Sequence, residues 1–342
     1  MARTAVEIAE TDFVAVRDLI SRRSGLYFPD SKRAELLATV GARAAALGWP
    51  DAIAEYVGFL ERGEEGGSEL RCLVSRLTVG ETYFFRNRGQ FDLLRERLLP
   101  DLIRARRDGW RRLRLWSAGC SSGEEPYSLA MVLLELLPDI ADWDVHLLAT
   151  DINEEALAAA RAGRYRAWSF RDVEERYRQR FFTAEGGVWR IRPEVQRLVT
   201  FRPLNLADDA FPSPATGTDS LDLILCRNVM IYFRPELCRE ITRRFHACLE
   251  ERGALIVGHS EHSDLIDPAF ARVFHGRTVL YCRHGASPGL AKALAIRFRG
   301  AGAAPEGAVT AAAPARRGGV QRPPETAETV LFEEGVALAA QR

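Results

Sequence analysis

The chain has 342 residues, 47% of them hydrophobic, and 47 Lys plus Arg balance 47 Asp plus Glu. That length allows two domains and that mixture is globular. The zero formal balance excludes a protein held to nucleic acid or to a membrane surface by net charge. No apolar run of about eighteen residues is present, and MARTAVEIAETDF lacks an apolar signal core, so a soluble, cytoplasmic protein is expected. The six cysteines form no CxxC pair and are expected to be reduced thiols. His259 and His262 have HxxH spacing but no third ligand near them in sequence, so no metal centre is expected.

Residues 1–88 read as a small all-helical domain. Asp12 is expected to cap a helix carrying Phe13, Val16, Leu19 and Ile20 that Gly25 ends. Asp30 opens a second helix with Leu36, Leu37, Val40 and Leu47, stopped by Gly48, and Asp51–Leu60 and Ser68–Leu77 repeat the pattern. LTVGETYFFRN (Leu77 to Asn87) then breaks the helical rhythm. Its aromatics Tyr83, Phe84 and Phe85 are expected to plug an interface between domains, which leaves Thr82 and Arg86 unexplained. The arginines at 104, 106, 107, 111, 112 and 114 read as a solvated helix end and turn, with a docking face for an acidic partner as the alternative.

From Leu113 strands and helices alternate, the pattern of a parallel sheet. Strands are expected at Leu113–Ser117, Val145–Thr150, Leu198–Phe201, Leu221–Cys226, Ala254–Val257 and Thr278–Cys282, with helices at Pro126–Leu137, Glu154–Ala162 and Pro235–Glu250. Phe181 to Arg192 places EGG between two β-prone pieces and reads as an inserted hairpin. Residues 89–285 therefore form the second domain, with the insertion near 181–201. Residues 286–326, rich in Ala, Pro, Gly and Arg, read as a flexible linker, and 327–342 as a lone amphipathic helix.

The chemistry gathers at strand ends. Ser117 to Gly123 is a turn of small residues between a strand and a helix, where backbone can approach a ligand closely. Asp151 follows the second strand, where an acid holds ribose hydroxyls. The turn GCSSGEEP is not GxGxxG. Its two carboxylates, Glu124 and Glu125, would repel a diphosphate and favour a cationic ligand such as the amino group or sulfonium of S-adenosylmethionine over NAD. One of the two is accounted for by the helix dipole alone. Asn205 follows the third strand, where an amide can read an adenine edge, and Arg227, Asn228 and Tyr232 follow the next.

Together LTVGETYFFRN, SAGCSSGEEPYSLAM, ATDINEEAL, PLNL and CRNVMIYF resemble, in order, the chemotaxis-receptor glutamate O-methyltransferases of the CheR type, over Asp12 to Arg283. The resemblance implies an α/β fold: a Rossmann-like methyltransferase sheet with an N-terminal helical domain and a small inserted antiparallel β-subdomain. It implies methyl transfer from S-adenosylmethionine to glutamate side chains on chemoreceptor signalling helices, leaving S-adenosylhomocysteine. By motif, Thr82 and Arg86 would border cofactor and substrate, Glu125 the methionine moiety, Asp151 the ribose, Asn205 with Leu206 the adenine, and Arg227 with Asn228 the cofactor. Arg86 and Tyr232 match the pair nearest the transferred methyl. Gly80 stands where several members carry Asn, so a side-chain contact from that position is absent.

An acceptor carboxylate, with a solution pKa of about 4.3, is already ionised and needs no general base. Aligning it with the methyl group in a dry site can supply up to about 7–11 kcal/mol through proximity. Arg86 is expected to orient the substrate carboxylate, and Tyr232 to fix its second oxygen or the sulfonium. Two other readings are weighed against this one: a cofactor-binding signalling scaffold of weak activity, and a methyltransferase of small carboxylic acids. Intact Arg86 and Tyr232 favour an enzyme, and the helical domain and hairpin suit a large partner. The short connection TAEGGVW is expected to make the chain independent of a receptor C-terminal pentapeptide. The segment Val330–Gln341 resembles the first helix of a tetratricopeptide repeat. A monomer is expected, with no nucleic-acid partner and no insertion into the membrane.

Overall fold

A computed structural model describes residues 10–283 except 51, 262 and 277. The expected linker, the last helix and His262 lie outside the described residues.

Four amphipathic helices come first: α1 (Glu10–Ser24), α2 (Arg33–Ala46), α3 (Ile53–Leu60) and α4 (Gly63–Leu77). They bury one cluster containing Phe13, Leu19, Leu36, Tyr56 and Leu73. Inside it the Glu69 carboxylate accepts two bonds from Arg43, at 2.8 and 2.6 Å, and one from the Tyr56 hydroxyl at 2.7 Å, so this buried charge is paired as it must be. Asp12 lies within α1 rather than at its cap, since Glu10 is already helical. It ends as expected at Gly25, whose φ of +79° is the left-handed stop that glycine takes without strain.

A long helical segment follows, of which the sequence anticipated only the arginine-rich end: α5 (Arg88–Leu93), a π-helical stretch Leu94–Leu98, and α6 (Leu99–Arg106). Phe91, Leu94, Leu98, Leu102 and Ile103 face the core, while the interleaved arginines mask that stripe in the sequence. The arginines are engaged within the chain, and no acidic partner is needed to account for them. Arg106 reaches the buried Asp222 at 2.6 Å, Arg112 meets Glu250 at 3.0 Å, Arg104 meets Asp101 at 2.8 Å, and Arg107, Arg111 and Arg114 pair with Asp139, Asp139 and Asp144.

The α/β part runs β1 (Arg112–Ala118), α7 (Glu124–Leu136), β2 (Asp144–Asp151), α8 (Glu154–Ala162), β3 (Arg164–Tyr165), α9 (Glu175–Phe181), β4 (Phe182–Glu185), β5 (Val188–Ile191), α10 (Pro193–Gln196), β6 (Val199–Pro203), β7 (Leu221–Cys226), α11 (Pro235–Cys248), β8 (Leu249–Val257), β9 (Phe270–His275) and β10 (Thr278–Arg283). The seven-stranded sheet has the order β6-β2-β1-β7-β8-β10-β9. Neighbours are parallel from β6 to β8, while β10 is antiparallel to both β8 and β9. The sheet is thus mixed, not wholly parallel. Strand β9 was not expected: of its side chains only Phe270 is fully buried, which gives a weak apolar signal.

Period-2 alternation divides the core into two faces. Leu115, Leu147 and Leu225 pack on the α7 side, and their neighbours Trp116, Leu148 and Ile224 on the α11 side. The expected hairpin is β4–β5, and a two-residue strand, β3, extends it to a three-stranded antiparallel sheet. The chain order β1-β2-β6 grows one way and β7-β8 the other. The sheet therefore changes direction between β1 and β7, and a crevice opens there at the carboxyl ends of the strands.

Candidate active site

Two glycines shape the turn after β1. Gly119 has φ +80°, and a Cβ there would lie 2.2 Å from Val229 Cγ2. Its amide and that of Cys120 donate to Thr150 O at 2.8 and 2.9 Å, which clamps the turn to the end of β2. Gly123, at φ +93°, occupies the cap position of α7.

The two glutamates that follow part company. The Glu124 carboxylate is buried away from the crevice, accepting from Ser122 Oγ at 2.7 Å and Ser169 Oγ at 2.9 Å, and burial raises its pKa. Glu125 faces the crevice. Ser117 Oγ donates to one of its oxygens at 2.6 Å, and Arg227 Nη1 to the other at 3.0 Å. Arg227 also donates to Arg86 O and lies over the Phe91 ring at 5.5 Å. Burial pulls the Arg227 pKa down while Glu125 pulls it up.

At the tip of β2 the Asp151 carboxylate accepts from Ser121 N at 2.7 Å and Asn153 N at 2.8 Å. Burial raises its pKa against those two amides. Asn153 caps α8 through Ala156 N at 2.9 Å, and its amide donates to Ser75 O and Thr78 Oγ1 at 3.0 and 2.8 Å, tying the strand tip to the end of α4.

The loop after β7 is held by a residue that sequence reasoning missed. Glu261, after β8, is buried and accepts from Val229 N at 2.9 Å, Met230 N at 2.7 Å and Gly258 N. It fixes the turn in which Asn228 takes φ +59° and from which Tyr232 projects. Burial pushes the Tyr232 pKa up, and the nearby Arg86 charge pulls it down. The visible signal was a carboxylate just past an apolar strand, in LIVGHSE.

In the segment after α4, Phe84 and Phe85 are the plug, set against residues 165–182 and α5. Phe84 meets Tyr165, Phe170 and Phe182 at ring distances of 4.8, 5.2 and 5.0 Å, and Phe85 meets Tyr177 at 4.4 Å. Phe85 and Asn87, on either side of Arg86, have φ of +57° and +66°. Left-handed non-glycine residues persist where the surroundings over-determine them, which is common at functional sites. Arg86 Nη1 donates to Glu81 O at 2.6 Å.

One cleft of about 980 Å³, counted to its open mouth, is lined by Gly80, Thr82, Arg86, Glu125, Asp151, Asn205, Leu206, Arg227, Asn228 and Tyr232. All the site residues expected from the sequence meet there. Asn205 differs from expectation in what its side chain does. Its amide donates to Arg23 O and Asp208 Oδ1, both at 3.0 Å, and its oxygen accepts from Ala207 N at 3.0 Å, so its polar atoms hold the loop to the end of α1.

A switch-point crevice with a glycine turn on its first strand and an acid on its second defines a nucleoside-binding α/β enzyme. The acids Glu125 and Asp151, with Arg227 already spent on Glu125, fit a nucleoside carrying a cationic end better than a diphosphate. Residues 80–276 match the family described as "CheR methyltransferase, SAM binding domain". The chain is 35% identical over 260 residues to chemotaxis protein methyltransferase 1 of Pseudomonas aeruginosa, a match covering 74% of this chain and 90% of that one. It is 35% identical over 277 residues to the chemotaxis protein methyltransferase of Escherichia coli, covering 80% and 91%. A probable chemotaxis protein methyltransferase of Rhizobium etli is 40% identical over 200 residues, covering 57% and 72%. The molecule is an S-adenosylmethionine-dependent methyltransferase. Within that class it belongs to the CheR chemotaxis methyltransferase family.

Proposed function

We propose that this enzyme esterifies glutamate side chains on the cytoplasmic signalling helices of chemoreceptors, acting as a monomer in the cytoplasm. The observation that carries the reading is the placement of Arg86 and Tyr232 at the same cleft as the acids Glu125 and Asp151. No helix among the described residues is long and apolar enough to cross a membrane, which is compatible with that location. The division into a helical domain (1–88) and a catalytic domain (89–285) is part of the proposal, supported by the separate apolar cluster of α1–α4.

Bound S-adenosylmethionine supplies an electrophilic methyl group, and the residues supply its seat. Asp151, fixed in place by two backbone amides, accepts from ribose hydroxyls. Glu125, locked by Ser117 and Arg227, receives the cationic amino acid end. Leu206 forms part of the adenine wall, with Asn205 shaping that loop rather than spending its own amide on the base. Arg86 orients the acceptor carboxylate, and Tyr232 fixes its second oxygen or the sulfonium. No proton has to move, because the acceptor is ionised already.

The test is transfer of radiolabelled methyl from S-adenosylmethionine to receptor cytoplasmic fragments, followed by mild alkali. Release of the label as methanol supports a carboxyl ester; alkali-stable label, or none on any fragment despite cofactor binding, rejects it.

A further inference from the structure

Arg171 lies in the stretch between β3 and α9 and belongs to none of the motifs at the strand ends. Its guanidinium sits 3.5 Å from the centre of the Tyr83 ring and 4.1 Å from that of Trp168. Nη2 donates to Glu81 Oε1 at 3.1 Å and Nη1 to Trp168 O at 3.2 Å. Both partners from the other segment, Glu81 and Tyr83, are the groups that hold Arg86. Glu81 supplies the carbonyl that accepts from Arg86 Nη1 at 2.6 Å, and the Arg86 guanidinium lies 5.7 Å from the centre of the Tyr83 ring.

We infer that Arg171 is a positioning residue: through Tyr83 and Glu81 the insertion sets the direction in which Arg86 points into the cleft. The inference rests on the proposed role of Arg86 in holding the acceptor carboxylate. Arg86 sits between two left-handed residues, Phe85 and Asn87, so its backbone is fixed, while its guanidinium is held by Glu81 O and the Tyr83 ring. Residues 81–83 lead into Phe84, whose amide donates to Ser169 O at 3.0 Å, so the backbone is tied to the insertion at one point only a residue away from Tyr83. Arg171 adds a side-chain brace beside that tie. The planar guanidinium stacks on a ring and forks to two acceptors at once, which a lysine ammonium cannot do. An exposed ion pair of this kind contributes little to global stability, so its value lies in the geometry it imposes.

The segment that carries Arg171 also reaches the turn after β1. Ser169 Oγ donates to Glu124 and Tyr165 OH to Ser122 O at 2.8 Å, so the insertion touches both the glycine turn and the Arg86 segment. Any partner that shifts the insertion would be sensed at Arg86 through Arg171.

The experiment compares the full chain with Arg171→Ala, Arg171→Lys and Tyr83→Ala by two readouts. The first is the Arg86 Nε–H resonance, assigned with Arg86→Lys, which reports rotation of that guanidinium without any acceptor protein. It is expected to sharpen towards free rotation in Arg171→Ala and Tyr83→Ala. The second is methyl transfer, where both variants should lose about ten- to a hundred-fold in kcat, the scale of an ångström of misplacement. Cofactor Kd should stay within about threefold, Arg171→Lys should not rescue, and the double variant should be no worse than either single one. An unchanged Arg86 resonance in folded Arg171→Ala overturns the inference, as does loss of cofactor binding in parallel with kcat, or rescue by lysine. If the unmodified enzyme methylates no receptor fragment, the substrate assignment fails while the resonance still decides the brace.

Discussion

Replacing Glu261 by alanine removes the acceptor of three backbone amides: those of Gly258, Val229 and Met230. Val229 and Met230 belong to the turn that carries Asn228 and Tyr232 to the cleft, and Gly258 directly follows β8. A buried donor left without a partner costs about 1–3 kcal/mol, so three give roughly 3–6 kcal/mol once partial hydration of the vacated space is allowed for. That is a large share of the roughly 5–15 kcal/mol by which a protein is stable. Glu261→Gln should cost less, about 1–3 kcal/mol, because the amide oxygen can still take Val229 and Met230 while its NH2 faces the Gly258 donor. Chemical denaturation of the three proteins, with the slope checked for constancy, measures this directly. Saturating S-adenosylmethionine should recover part of the loss in the Gln variant, since a ligand that binds only the folded state stabilises it. If Glu261→Ala unfolds within about 1 kcal/mol of the unmodified protein, the amides have other acceptors and the account of this loop is wrong.

Four further outcomes are expected. Arg86→Ala should cut methyl transfer far more than cofactor affinity, as read by single-turnover kinetics beside calorimetry; equal losses would remove Arg86 from the acceptor role. Asp151→Asn should weaken S-adenosylmethionine by about ten- to a hundred-fold, the worth of a hydrogen bond to a charged group, and a titration showing unaltered Kd would refute the ribose assignment. Glu124 has a raised folded pKa, so it favours the folded state below its unfolded value near 4.3 and loses that contribution as pH rises through its folded value. Glu124→Gln should therefore be more stable than the unmodified enzyme at pH 7 and lose that advantage towards pH 4 in melts across the range. Gly119→Ala must push Val229 aside and adopt a left-handed φ, costing about 2–4 kcal/mol with loss of cofactor binding in the same titration.

Continuous or well-punctuated signals were the legible ones. The run LDLILC gives β7 to the residue, and Asn153 and Gly163 bracket α8 as cap and left-handed stop. The cleft was legible because α/β sheets place ligand groups at strand ends, and four ends carried unusual residues. What escaped depends on contacts distant in sequence. The α5–α6 segment hid its apolar stripe among arginines such as Arg95, Arg104 and Arg106, which are spent on Asp92, Asp101 and Asp222. Glu124 and Glu125 were indistinguishable as letters, and only the helix start at Glu124 turns one towards Ser169 and the other towards Arg227. Asn205 looked like a base reader, but the approach of Arg23 claims its amide. Glu261 and Arg171 act on residues more than thirty and eighty positions away respectively, beyond the reach of spacing rules.

The most direct test of glutamate esterification is tandem mass spectrometry of a receptor cytoplasmic fragment after incubation with enzyme and S-adenosylmethionine. One methyl increment on a glutamate peptide, removed by mild base and missing with an Arg86→Ala variant that still binds cofactor, is the predicted result. A methyl group on any other side chain, or unmodified glutamates in the presence of cofactor-bound enzyme, would contradict it.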